Sequence, residues 1–141
     1  MKRAFSLARN ERGATALEFA LVAPVLFLFI FGIAQLGTLY MADSSLRHAV
    51  AEGARYAAIY PRPSDEAIIA RINAKRVGLR PSRITGPTLR HVEPAGAAAY
   101  TEIDMGYSVP LNFIFFEAAP VQLQERRLVY TYPPTASSGG S

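Results

Sequence analysis

Hydrophobic positions along this chain change their spacing three times, and each change predicts a different element. From Phe19 to Ala42 no residue is charged, and Leu, Val, Phe and Ile dominate. That run exceeds the roughly 20 residues that carry a helix across a bilayer's hydrocarbon core. Pro24, Gly32, Gln35 and Gly37 interrupt it, but membrane helices tolerate such residues when neighbours satisfy the freed groups. Beyond it, Ala42, Leu46, Ala49, Gly53, Tyr56 and Tyr60 recur at three- and four-residue steps, the period of an amphipathic helix. One helix from Ala14 to Tyr60 is therefore expected, about 70 Å long at 1.5 Å per residue. Its first half calls for lipid, and its second half for a packing partner.

Pro61 and Pro63 stop that helix. Ser64 is a suitable N-cap for a second, short one, with Asp65 and Glu66 in its first turn and Ile68, Ile69, Ile72 and Val77 before Gly78. The period then becomes two. Ile103, Met105, Tyr107 and Val109 alternate with Glu102, Asp104, Gly106 and Ser108, the pattern of a half-buried strand. The stretch from Val121 to Tyr132 also reads as a strand, but Val121 and Leu123 fall out of phase with Leu128, Tyr130 and Tyr132. A bulge near Glu125 is expected to reconcile them. Arg83 to Val92 is a weaker strand, interrupted by Gly86 and Pro87. The expected fold is α+β, with a small antiparallel sheet of about three strands packed on the first helix.

Charge refines this picture. Lys2, Arg3, Arg9 and Arg12 against Glu11 give the first thirteen residues +3 of the formal +4, which leaves +1 for everything from Ala14 onward. A near-neutral body offers no general electrostatic attraction for nucleic acid. The cationic head instead predicts a cytoplasmic N-terminus and an exported C-terminal part. The 141 residues contain no cysteine, which excludes disulfides and thiolate chemistry.

Enzymatic chemistry finds little to build on. His48 and His91 are the only histidines, and their spacing is not that of metal ligands. Ser44 and Ser45 lack a nucleophile-elbow setting, and Glu102 and Asp104 lie on the polar face of a strand. No glycine-rich phosphate loop is present. A protein without catalytic residues, cofactor, metal or small-molecule substrate is expected. Arg80, Arg83 and Arg90 form a local basic cluster, read as a solvated loop and strand edge or as contact with an anionic surface. Between Pro110 and Pro120, Leu111, Phe113, Ile114, Phe115 and Phe116 crowd where two strands should join. This is either a hairpin tip folded over the core or a partner or membrane contact.

The opening of the apolar helix adds specificity. Gly13, Glu18 at the fifth position after it, Phe19 beside that carboxylate, and the apolar run with Pro24 resemble the start of TadE-like minor pilins of tight-adherence (Flp, type IVc) pili. TadF-like proteins share this start. The resemblance implies residues 1–13 as a leader, 14–42 as a transmembrane segment and 43–132 as an exported pilin-like domain; the tail 133–141, which has no core-forming residue, is expected to be disordered. It implies cleavage by a prepilin peptidase between Gly13 and Ala14, on the cytoplasmic side of a bacterial inner membrane. It also implies that other pilins of the same machine are partners, and that Glu18 sets helix register during assembly, with Phe19 beside it. Residue order agrees with such processing. A secretory signal loses its apolar region on cleavage, whereas here the small Gly13 precedes that region. Two other readings are an unprocessed single-pass anchor and an exported protein cut at the A-x-A match of Ala49 and Ala51. Against the second, Asp43 and Arg47 separate the apolar run from that site.

Overall fold

The computed structural model describes residues 11–113 and 117–130. Helix α1 spans Glu11–Ala57 without a break, and Pro24 lies inside it. It starts ahead of the expected Ala14 and ends short of Tyr60, which is exposed beyond the helix end. Residues preceding a proline are pushed out of the helical region, and helix ends fray, so the stop falls ahead of Pro61.

Helix α2 spans Asp65–Lys75. The Ser64 hydroxyl accepts a hydrogen bond from the Ala67 backbone N–H, and Asp65 and Glu66 occupy the first turn. Ile68 and Ile72 are buried one turn apart. Val77, expected on the same apolar face, instead lies past the helix end with 77% of its surface exposed.

A short 3-10 turn, Pro81–Arg83, leads into β1, Ile84–Val92. Strands β2, Tyr100–Asn112, and β3, Glu117–Tyr130, complete an antiparallel sheet in the order β1-β2-β3. The interruption foreseen at Gly86 and Pro87 is a register shift between Thr85 and Thr88. Gly86 adopts φ +87, and a Cβ there would approach the Asp104 carbonyl oxygen to 2.9 Å, so only glycine fits.

In β2 the period-two pattern translates directly: Ile103, Met105, Tyr107 and Val109 all point into the core. Strand β3 departs from expectation. Its pairing with β2 runs without a shift from Tyr100–Tyr130 to Val109–Val121, so no bulge exists at Glu125. The irregularity falls between Val109 and Leu111, nearer the hairpin end. With constant phase, Val129 is the buried residue, whereas Leu128 and Tyr130 lie on the open face, 52% and 66% exposed. Tyr132 and the tail 133–141 lie outside the described residues.

The core sits between the second half of α1, helix α2 and the sheet. Leu46, Ala49, Val50 and Ala57 supply the α1 side. Val50 is wholly buried, so Val50→Asp places a carboxylate among Ile and Met side chains. A loss of at least about 3 kcal/mol is expected. Arg47→Ala removes only the exposed i,i+4 pair with Asp43 (2.9 Å) and should cost under about 1 kcal/mol. Urea titration of the full chain in detergent, followed by circular dichroism, checks both. Equal midpoints for the two variants would mean that α1 stands free of the sheet.

Candidate membrane and assembly surface

Among the described residues, the half of α1 that precedes the core has no packing partner along most of its length. Leu17, Phe19, Leu21, Val22, Val25 and Phe29 are among the large side chains left exposed. Exposing so much contiguous apolar surface to water is unfavourable, and such a patch marks a membrane or partner-binding surface.

The Gly13–Ala14 bond lies in helical backbone, near where the described residues begin. Glu18 lies one turn beyond Ala14 on the same side of the helix. Its side chain is exposed, with no ion-pair partner among the described residues. Phe19 is likewise exposed, and turned by one residue, roughly 100°, from Glu18.

The β2–β3 hairpin end reaches back onto this apolar half. Gln35 Nε2 donates a hydrogen bond to the Asn112 carbonyl oxygen at 2.7 Å. Leu111 and Phe113 line a groove of about 560 Å³ together with Val25, Phe29, Ile33 and Leu36. Phe113 is half-buried there, outside the core cluster. Its neighbours Ile114, Phe115 and Phe116 lie outside the described residues. Sequence reasoning noted Gln35 only as an interruption. Its isolation in an apolar run was the signal that it needed a partner.

Several polar residues weighed in the sequence make contacts within the domain. His91 Nε2 lies 2.7 Å from Asp65 Oδ2, and its Nδ1 lies 3.0 Å from the Thr101 hydroxyl. Thr101 is 1% exposed, and the trio ties α2 to the sheet. The Ser45 hydroxyl donates to the Val77 carbonyl oxygen, fixing the chain after α2 to α1. Glu102 and Asp104 both receive Arg126, at 2.9 and 3.1 Å. No group of three or more metal-ligating side chains occurs among the described residues.

The class defined by this architecture is a small α+β domain borne on a long apolar helix. Among the described residues, one helix is long and apolar enough to cross a membrane, by length and composition, and it continues into the core of that domain. Residues 13–55 match the family model described as TadE-like protein, so the chain carries the TadE-like segment that its opening resembles. The matched stretch runs from the glycine at the start of the apolar helix almost to the end of α1. No curated protein and no solved structure matches the chain significantly.

Proposed function

We propose that the protein is a minor pilin, or pseudopilin, of a tight-adherence pilus. It is non-enzymatic, cut by a prepilin peptidase between Gly13 and Ala14, and acts in assembly or initiation of the fibre with other pilins. The observation that carries this reading is the TadE-like match beginning at Gly13, on a helix that runs unbroken from that residue into the domain core. Cleavage there leaves the apolar helix as the new N-terminus. Its Leu, Val and Phe side chains can then exchange lipid for the helices of neighbouring subunits, with Gly32 and Gly37 allowing close approach. The excess of cations before the span supports a cytoplasmic N-terminus and an exported domain.

N-terminal sequencing of the protein from native membranes or sheared pili tests this. The mature chain is expected to begin at Ala14, and Gly13→Leu is expected to accumulate at full length. A native chain that begins at Met1 makes the protein an unprocessed membrane anchor, and one that begins at Glu52 makes it a secreted protein.

A further inference from the structure

The near-neutral formal charge of the domain conceals a sorting of charges along it. Arg47, Arg55, Arg62 and Arg71 each meet a carboxylate, as do Arg90, Arg126 and Arg127. The remaining cations of the domain, Lys75, Arg76, Arg80 and Arg83, form no ion pair among the described residues, and all lie within one nine-residue stretch. Arg90, grouped with them by sequence, pairs instead with Glu102. Glu66 and Glu93, carboxylates of the domain with no ion pair among the described residues, sit at the first turn of α2 and just past β1, toward the opposite end.

The cationic stretch wraps α1 where the charge-free run ends. Lys75 and Val77 line a hollow with Tyr40, Met41 and Ser44. Arg80 and Arg83 line another with Gln35, Thr38, Met41 and Ala42. A span of roughly 20 residues centred on Phe19–Ala42 leaves Met41 to Ser45 at headgroup level and Gln35 about 8 Å inside the hydrocarbon. At that depth the bond from Gln35 to the Asn112 carbonyl satisfies two groups that lipid cannot. Leu111 and Phe113 then meet acyl chains, while long cationic side chains reach phosphates. Glu117, opposite Asn112 in the hairpin, is a carboxylate residue at this end and leaves it net positive.

We propose that this end of the domain, the stretch Lys75–Arg83 with Leu111 and Phe113 of the hairpin, docks onto the bilayer that α1 crosses and binds anionic phospholipid headgroups. The inference rests on the reading of α1 as a membrane anchor, and not on cleavage at Gly13. It gives the domain a fixed seat on the membrane instead of free rotation above it.

The chain contains no tryptophan, so Val77→Trp and Phe113→Trp each install a single reporter. Full-length variants are placed in nanodiscs of phosphatidylcholine, with or without phosphatidylglycerol. Acrylamide, an uncharged quencher, should quench Val77→Trp strongly in neutral discs and weakly in anionic ones. Adding Arg80→Gln should lower the docked-to-free ratio about fivefold, and adding Arg83→Gln by a similar factor again. Brominated acyl chains should quench Phe113→Trp. The thermal midpoint of each variant verifies that the fold is intact. Equal acrylamide quenching of Val77→Trp in both discs, or indifference to the Arg substitutions, overturns the headgroup assignment. Absence of bromine quenching at Phe113→Trp overturns the hairpin contact. Stronger shielding by polyglutamate than by anionic discs would make this a protein-docking face and overturn the lipid assignment. Extraction of the wild type by alkaline carbonate would instead refute the anchor reading itself.

Discussion

Gly53→Leu is expected to separate α2 from α1 and to cost the domain more than about 3 kcal/mol. A Cβ placed on Gly53 overlaps Ile72 Cγ1 and comes within 2.7 Å of its Cδ1. Ile72 is itself fully buried beside Ile68 and has nowhere to turn. Alanine at this position gains about 1 kcal/mol of helix propensity, yet meets an overpacking cost of about 1–3 kcal/mol. Leucine adds three further carbons to the same collision. The partly exposed Glu52–Arg71 contact beside it, at 3.5 Å, is too weak to hold the helices together. Thermal unfolding of the full chain in detergent measures the loss, and hydrogen exchange in α2 locates it. Because the two residues share one volume, Ile72→Ala should partly rescue Gly53→Ala, a non-additive result. A Gly53→Leu protein that melts with the wild type would mean that the helices are not interlocked here.

Glu18→Ala is the second substitution with a large expected effect, on assembly and not on stability. Its carboxylate lies at the edge of the apolar run, exposed in the isolated chain. Carrying such a group to the bilayer centre costs roughly 2.5–3.5 kcal/mol, so a compensating partner is expected. Cleavage after Gly13 would create an ammonium on Ala14, one turn away on the same side. Within one subunit the two can pair. Between subunits, Glu18 of an incoming helix can meet the Ala14 amine of its neighbour and fix their axial offset. Breaking a desolvated pair of this kind costs about 3–5 kcal/mol, about a hundredfold or more in an association constant. Glu18→Ala should therefore insert into membranes normally and be lost from sheared pili in quantitative immunoblots. Wild-type amounts in the pili would make Glu18 a bystander at the interface.

Local signals made much of the fold legible. The charge-free run, the i,i+3/i+4 steps after it, the Ser64 cap and the alternation in β2 each depend on neighbours in sequence. Strand β3 misled because its apolar residues do not mark its core face. Leu128 and Tyr130 lie on the open side, where Tyr130 meets Tyr100 edge-on at 6.1 Å. Glu125 and Arg127 share the phase of buried Val129 and pair with each other at 2.9 Å. Charges on the inner face of an edge strand discourage pairing with another sheet, and counting hydrophobic residues cannot anticipate them. The basic cluster was half legible. Arg80 and Arg83 stood out in sequence, but only tertiary pairing removes Arg90 from the set and brings the stretch to the foot of the apolar helix. Gly53 gave no sequence signal beyond its place on the packed face, since the collision partner is nineteen residues away on another helix.

Helix α1 has no joint between its lipid-facing half and its packed half. Mechanically it is a rod keyed into its load at Leu46, Val50 and Gly53. Axial travel therefore reaches the domain undiminished, at about 1.5 Å for each residue drawn from the bilayer. Torque is delivered with equal fidelity, so a turn imposed on the buried half reorients the sheet through the same angle. Compliance along the shaft is concentrated at Pro24, where a backbone donor is missing. Bending there would tilt everything beyond it as one body. Whatever grips the apolar half thus has the handle of the whole domain.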